Sequence, residues 1–434
     1  MTLTTRSLAT TTPRSRLIAL GALLAAFAVA ALASWPPQTT PRAGAAANVA
    51  AHPGTVQAAA IPAGDLDRQL AEGAAALQRA RETFDPAAYG QAEDIFNAVL
   101  RADPENIQAL IGVGGIALSR HEFAEALAIG QQALALNDSI ASIYGVIGDA
   151  QVELGRYPQA VDTVQRMVDL RPDLASYSRV SYLRELHGDL PGAIDAMQRA
   201  VAAAGPATEN TEYVRVQLGN LHFAAGDLDA AAEIYRQALD RLPDYHLALA
   251  GLARVAASRG DLPGAIALFE RAKARLPLPE TIIGLGETLE AAGRMDDAAD
   301  EYALAEAMQR LNAANGFQVD LELAGFFADH GDARVAVRLA RIGYGQRPTV
   351  FAADTLAWAL FRDGRLHAAA GWLHQSLRLG TQSSRLLYHA GTIEAAAGKT
   401  AAARRHLRAA LRLNAAFSPL DAPRAAGALE RLGR

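Results

Sequence analysis

Ten alanines recur along the chain at nearly constant spacing, and this repeat constrains the fold more than any other feature. Seven of the nine intervals between them are 33 or 34 residues long, and the other two are 38. A short unit repeated in this way cannot bury an apolar face alone, so it gains a core only by stacking on its neighbours. The sequence therefore predicts an array with an extended surface rather than a catalytic pocket. The ten residues are Ala92, Ala126, Ala160, Ala193, Ala231, Ala265, Ala298, Ala336, Ala369 and Ala403.

Other columns of the repeat predict a helix–turn–helix unit when the recurring alanine is counted as position 20 of 34. Position 8 is small, as two antiparallel helices require where their backbones cross. Position 15 is glycine in most units, which suits a helix end with positive φ, and His121 takes this place in the second unit. Aspartate often follows as an N-cap for the next helix. The glycines are Gly155, Gly188, Gly226, Gly260, Gly293, Gly331, Gly364 and Gly398.

The unit resembles the tetratricopeptide repeat, which also has large apolar residues at position 24, small ones at 27 and proline at 32. Tyr235 and Pro243 fill two of these positions in the fifth unit. The resemblance covers roughly residues 73–419 and implies an all-α fold, a right-handed α-solenoid of about ten units. The first unit departs most, because Ala87 replaces its turn glycine.

The two 38-residue intervals predict possible bends in the array, near residues 205–212 and 310–317. After the last unit, residues 420–434 predict a capping helix, with Asp421 as its N-cap and Pro423 in its first turn. Such a helix would cover the exposed side of the final repeat, which a solenoid requires for solubility.

The N-terminus has the layout of an export segment. Residues 1–16 contain three arginines and no acid, residues 17–34 form one apolar run, and residues 36–64 are rich in alanine, proline and glycine. Residues 1–35 are therefore predicted to be a signal peptide cleaved near Ala33, or a single membrane anchor with the repeats outside the cytoplasm. Both alternatives remain open. Residues 36–64 are predicted to be a flexible linker.

Composition and motifs point away from catalysis. The chain has no cysteine, which excludes disulfides and thiolate metal sites. No phosphate-binding loop, zinc-protease motif or nucleophile elbow occurs, so we expect no enzyme, no catalytic residue, no metal site and no cofactor. The formal net charge of −5 argues against broad nucleic-acid binding. The last fifty residues are locally basic, which indicates either a solvated helix face or a surface for an anionic partner or membrane.

The resemblance implies that the first helix of each unit lines a concave groove, through positions 2, 5, 9 and 12. Read in this register, Asn220 and Arg254 occupy the same position of adjacent units and could hold a peptide backbone or carboxylate. An aromatic patch with an acid is formed by Asp354, Trp358, Phe361 and Tyr388, although the rings could instead pack between helices. The candidate groove residues are Tyr182, Asn220, Phe223, Arg254, Asp354, Trp358, Phe361 and Tyr388.

These features together favour a non-enzymatic scaffold outside the cytoplasm that binds a protein or an extended peptide in the groove. The membrane would be contacted only through the N-terminal segment. Groove positions lack lysine, so the carboxylate clamp of chaperone-binding relatives is not supported. The alternative is a structural or assembly factor of the cell envelope that uses the convex face or an end of the array.

Overall fold

The computed structural model describes residues 63–83, 85–205, 208–314 and 321–433, and all regular structure in these ranges is α-helical. The predicted export segment, residues 1–35, lies outside the described residues, as does nearly all of the predicted linker. No helix in the described ranges is long and apolar enough to cross a membrane. The helices are α1 Ala63–Thr83, α2 Pro86–Ala102, α3 Ile107–Ser119, α4 Phe123–Leu136, α5 Ala141–Glu153, α6 Tyr157–Leu170, α7 Leu174–Leu186, α8 Leu190–Ala202, α9 Glu209–Ala224, α10 Leu228–Arg241, α11 His246–Ser258, α12 Leu262–Arg275, α13 Pro279–Ala291, α14 Met295–Ala314, α15 Leu321–His330, α16 Ala333–Gln346, α17 Val350–Arg362, α18 Leu366–Ser376, α19 Ser384–Ala396, α20 Thr400–Leu413 and α21 Asp421–Gly433.

The helices pack as consecutive pairs, α1 with α2 through α19 with α20, and each pair also packs on the next one along the chain. All ten recurring alanines lie in these helix crossings and are at most 1% exposed. A larger side chain there would separate the helices, since interiors are close-packed. The predicted all-α solenoid of helix–turn–helix units is therefore confirmed.

The large residue at position 24 fits into notches that glycines leave on neighbouring helices. Tyr235 of α10 lies between Gly219 on α9 and Gly251 on α11. A β-carbon added to either glycine would lie 2.5 Å from the tyrosine ring. Tyr235 is completely buried as a result. One aromatic ring thus joins the two helices of its own unit to the first helix of the next.

The turns between paired helices follow the predicted chemistry at most positions. Seven of the eight turn glycines have positive φ, and so does His121, with φ 63°. The exception is Gly331. Asp189 and Asp227 cap the helices that follow them, each accepting a hydrogen bond from a backbone N–H.

The last helix begins differently from the prediction. Asp421 is already the first residue of α21, not its N-cap. The hydroxyl of Ser418 accepts hydrogen bonds from the backbone N–H groups of Leu420 (3.3 Å) and Asp421 (3.0 Å). The helix packs on α19 and α20 and so covers the end of the array.

The first long interval adds a turn to α9, which has 16 residues where most first helices have 13. This added turn contacts the first repeat. Asn210 Nδ2 donates a hydrogen bond to Gln78 Oε1 at 3.3 Å, and Arg81 lies 3.7 Å from the carboxylate of Glu209. In the second long interval, α14 extends to 20 residues. The remaining residues of that interval, 315–320, lie outside the described ranges.

The array winds back on itself, so that residues about 190 positions apart touch. The turns after α5, α7 and α9 contact the loops before α17, α19 and α21. Three hydrogen bonds mark these contacts: Val350 N to Tyr157 Oη at 3.0 Å, Thr381 Oγ1 to Leu186 O at 2.5 Å, and Asn414 Nδ2 to Phe223 O at 2.7 Å. The first helices therefore line an inner face that the second turn of the solenoid partly encloses.

Candidate functional site

The contacts between successive turns of the solenoid bring charged and aromatic side chains together on the inner face. The guanidinium of Arg347, just before α17, lies 2.9 Å from the carboxylate of Glu153 on α5. The hydroxyl of Ser258 on α11 donates a hydrogen bond to Ala416 O at 2.6 Å. Residues from repeats that are far apart in the sequence therefore lie together, and a binding site can draw on both.

Asn220 and Arg254, which the repeat register placed together, do form one cluster. Arg254 Nη2 lies 2.5 Å from Asn220 Oδ1 and 3.2 Å from the Tyr235 hydroxyl, which itself donates to Asn220 Oδ1 at 2.7 Å. The guanidinium also lies over the ring of Phe223, 5.0 Å from its centre. These contacts hold Arg254 in one orientation, with its charge toward the inner face.

A cavity of about 170 Å³ lies beside this cluster, between repeats five to eight and the segment that leads into α21. Phe223 and Arg254 form part of its wall. Residues 417–419 close another side, so the cavity exists only because the array winds back on itself. Its aromatic and charged lining consists of Phe223, Phe269, Phe326, Phe417, Arg254, Arg385, Glu280, Glu287, Glu322 and Asp329.

The carboxyl groups in the cavity have unequal environments. The pKa of Glu280 is raised to about 7, mainly by burial and in addition by the nearby charge of Glu322, while Arg254 opposes the shift. Glu280 Oε2 is buried and has no hydrogen-bond partner. Asp329, in contrast, lies 3.4 Å from Arg385. A cation in the cavity would therefore favour the ionised form of Glu280.

The predicted aromatic patch forms a buried cluster behind the cavity instead of lining it. Trp358 stacks on His389 with ring centres 4.1 Å apart, and Asp354 Oδ2 lies 2.9 Å from His389 Nδ1. Tyr388 and Phe361 pack against the same indole. Trp358, Tyr388 and Asp354 are 3%, 5% and 6% exposed, and Phe361 is partly buried. Of the two arrangements that the sequence left open for these rings, the structure shows packing between helices.

This buried cluster supports the cavity through Asp329. Trp358 Nε1 donates a hydrogen bond to Asp329 Oδ1 at 2.7 Å, while the other oxygen of that carboxylate faces Arg385 in the cavity wall. Tyr388 also packs on Phe417, with ring centres 6.0 Å apart. The aromatic residues thus fix the position of groups that line the cavity.

Tyr182 lies away from the cavity. It packs, partly buried, in the cluster that joins the turn after α5 to Val350 of α17. Burial raises its pKa well above the ordinary value, and the nearby carboxylates of Glu153 and Glu185 add to the shift. Its position is therefore at the contact between solenoid turns.

The repeat register could have identified some of the cavity residues that the prediction left out. Glu280 occupies position 2 of the seventh unit, which is a groove position by the same register. Residues 417–419 belong to no repeat, and no pattern in the sequence shows that they return to Phe223. Among the described residues, no group of three or more metal-binding side chains comes together. The arrangement can recognise charge and apolar shape.

Comparisons with known proteins agree with the repeat assignment. A model of the tetratricopeptide repeat matches residues 87–139, 146–208 and 216–278, so the chain contains repeats of this kind.

Two curated proteins are similar to part of the chain. The cellulose synthase operon protein C of Xanthomonas axonopodis pv. citri is 30% identical over 252 residues, which is 58% of this chain and 14% of that protein. The cellulose synthase 1 operon protein C of Komagataeibacter xylinus is 25% identical over 242 residues, 54% of this chain and 16% of that protein. The matched stretch thus spans only a small part of either relative.

A solved structure with similar helices is TTC0263, a tetratricopeptide repeat protein of Thermus thermophilus. It is 20% identical in sequence, and the match covers 49% of this chain and all of that one, with a TM-score of 0.38.

Proposed function

We propose that this chain is a non-enzymatic scaffold that binds an extended segment of a partner protein at its enclosed inner face. Tetratricopeptide repeats generally serve as protein-interaction modules, which supports the class of function. The single observation that carries the proposal is the cavity lined by Phe223, Arg254 and Glu280, because it combines apolar walls with charged groups held in fixed positions.

The size and charge of the cavity indicate what part of a partner it accepts. At about 170 Å³ it is smaller than typical cofactor or drug pockets, which measure roughly 300–1,000 Å³. It suits one large side chain of an extended segment. Four carboxyl groups and two guanidiniums line it, so we propose a lysine or arginine side chain of the partner, placed beside Glu280 and Glu322.

The proposed location of the scaffold is outside the cytoplasm. The support is in the sequence alone: residues 17–34 form an uninterrupted apolar run that follows three arginines. The segment would either remain as an anchor or be removed near Ala33. In both cases the repeats would meet partners of the cell envelope or of the exterior.

Site-specific photo-crosslinking in the cells that produce the protein tests the proposed inner-face site. A photoreactive residue at Ile283, in the cavity wall, should form a discrete crosslinked product with a partner protein. The matched control is the same residue at Val161, which is 43% exposed on the outer helix α6. Substituting Glu280→Arg should remove the product from position 283, because the cavity would then repel a cationic side chain. If the product forms from Val161 and not from Ile283, the inner face is not the binding site.

The second candidate is an assembly role in the cell envelope that uses the outer face or an end of the array. The similarity to cellulose synthase operon protein C favours it, because both relatives are named for a cellulose synthase operon. Crosslinks from Val161, together with loss of function after changes in α21 but not at Glu280, would support this role over the first.

A further inference from the structure

The outer face of the array changes charge sharply along its length. The second helix of each repeat forms the outer layer, since it buries fewer residues than the first: α18 buries three where α17 buries nine. Every outer helix from α2 to α14 carries at least one acidic residue. The last three, α16, α18 and α20, carry none. The acidic residues of the earlier outer helices include Glu93, Glu125, Asp162, Asp195, Glu233, Glu270 and Asp296.

Six exposed arginines occupy two of these acid-free helices, and their guanidiniums have no ion-pair partner among the described residues. Several arginines on earlier outer helices do have an acidic partner, as Arg199 has Asp195 at 3.1 Å and Arg236 has Glu233 at 3.4 Å within one helix, and Arg271 has Asp244 at 2.8 Å. The six form what we call the basic outer face: Arg334, Arg338 and Arg341 on α16, and Arg405, Arg408 and Arg412 on α20.

The spacing of these arginines weakens the helices that carry them. Arg334 and Arg338 are four residues apart, as are Arg408 and Arg412, so like charges face each other one turn apart. Each such pair destabilises its helix in the absence of a counter-charge. A feature that opposes the stability of its own helix is expected where it serves binding. An anionic partner would supply the missing counter-charge.

Apolar and aromatic side chains that are partly exposed lie on α16 and on α18, the helix between the two that carry these arginines. Ile342 is 43% exposed. Tyr344 of α16 and Trp372 of α18 meet edge to face with ring centres 4.6 Å apart, both only partly buried. Arginine combined with tryptophan, tyrosine and isoleucine is the composition of surfaces that lie at the boundary between lipid headgroups and acyl chains. A purely polyanionic partner would not require the apolar part.

We propose that the basic outer face lies against an anionic phospholipid bilayer, with the guanidiniums at the lipid phosphates and Trp372 at the headgroup boundary. The choice of a membrane is supported by the apolar run at residues 17–34, so it rests partly on the proposed location. If residues 36–62 form the linker that the sequence predicts, this linker would span about 30 Å. It would hold the repeats close to the bilayer, which raises the effective concentration of this face at the lipid surface.

Quenching of Trp372 by lipid tests the proposal in the full-length chain. Trp35→Phe leaves only Trp358 and Trp372, and Trp358 is buried. Vesicles with brominated acyl chains are made from phosphatidylcholine alone or from equal parts of phosphatidylcholine and phosphatidylglycerol. We expect quenching in the mixed vesicles, little in phosphatidylcholine, and loss of quenching in high salt. Trp372→Phe should remove the quenched component.

Charge reversal separates this face from general electrostatic attraction. The triple variant Arg405→Glu, Arg408→Glu, Arg412→Glu should abolish the quenching. The matched control Arg199→Glu, Arg236→Glu, Arg310→Glu reverses three charges on other outer helices and should leave it unchanged, with unchanged circular dichroism in both variants.

Two results would overturn the proposal: equal quenching in both vesicle types, or equal quenching in both triple variants. Binding of RNA or polyglutamate that depends on the three arginines, without quenching by vesicles, would overturn the membrane assignment in favour of a soluble polyanion. Crosslinking at Ile283 in the α20 variant reports the inner-face site separately, so failure of one proposal does not imply failure of the other.

Discussion

Single residues in this protein owe their roles to contacts that cross from one repeat to another. Arg254 is held by Asn220 and Phe223 of the preceding unit and points its charge into the cavity. Trp358 reaches back 29 residues along the chain to Asp329, whose second oxygen orients Arg385. A substitution at either residue is therefore expected to act on its neighbours as well as on its own packing.

We predict that Trp358→Ala destabilises the last three repeats strongly. The indole is 3% exposed, stacks on His389 and donates to Asp329. Removing a buried tryptophan costs about 3–5 kcal/mol. Thermal unfolding followed by circular dichroism should show a melting temperature lowered by several degrees. Trp372→Ala, at a partly buried position, is the control and should have a smaller effect. Equal effects would contradict the packing role assigned to Trp358.

We predict that the stability of the protein falls between about pH 4.5 and pH 7, in part through Glu280. Its pKa is raised from 4.5 to about 7 in the folded protein, so folding keeps it protonated where the unfolded chain has lost the proton. The contribution is fully present below the unfolded pKa and is lost as the pH rises through the folded one.

Glu280→Gln should therefore stabilise the protein at pH 8, by up to about 3 kcal/mol, and change little at pH 4. Denaturant unfolding at both values measures this, with Glu270→Gln on the exposed face of α12 as the control. Equal stability of the wild type and Glu280→Gln at pH 8 would show that the carboxyl group is not destabilised in the cavity.

At the scale of single elements, the turn glycines have the same conformation but different surroundings. Gly188 and Gly260 have φ of 78° and 81°. A β-carbon at Gly188 would lie 2.4 Å from the carbonyl oxygen of Gly380, whereas nothing lies within 4 Å of one at Gly260. The turn at Gly188 is therefore a contact site for the second half of the array, whereas the turn at Gly260 is an ordinary helix end.

We predict that Gly188→Ala lowers the melting temperature more than Gly260→Ala does. Both substitutions place a β-carbon in the left-handed region, which costs about 1–2 kcal/mol. Only Gly188→Ala also pushes the turn between α7 and α8 away from Gly380. The difference between the two variants, measured by thermal unfolding and by protease sensitivity near residue 380, reports the contact between turns. Indistinguishable variants would contradict that contact.

The elements themselves were predictable because their signals are local. The turn chemistry at Asp189 and Gly188, and the buried alanines, follow from spacing and backbone preference. The prediction of Asp421 as the N-cap of α21 was wrong, because the hydroxyl of Ser418, three residues earlier, accepts the hydrogen bonds from the backbone there. The packing of Trp358 was left open, since an aromatic residue on an amphipathic helix suits either a groove or a helix crossing.

At the scale of the whole molecule, the contact between successive turns of the solenoid matters most for the proposed function, and it was not predictable from the repeat. Periodicity fixes how each unit packs on the next, but small rotations between units accumulate and decide whether successive turns touch. The added turn of α9, the glycines that allow close approach and the hydrogen bond from Asn414 to Phe223 together give a closed form. The cavity depends on this closure, because residues 417–419 form one of its sides.

The most direct test of this account is therefore a crosslink between the two turns of the solenoid. The chain has no cysteine, so Glu153→Cys with Arg347→Cys provides the only thiol pair, at positions whose side chains lie 2.9 Å apart. A short bis-maleimide at low protein concentration should join residues 153 and 347 within one molecule, as shown by mass spectrometry of the linked peptides. The control pair Glu153→Cys with Arg271→Cys, on the outer helix α12, should not be joined. If both pairs react to the same extent, or neither does, the array is open and the enclosed inner face does not exist in solution.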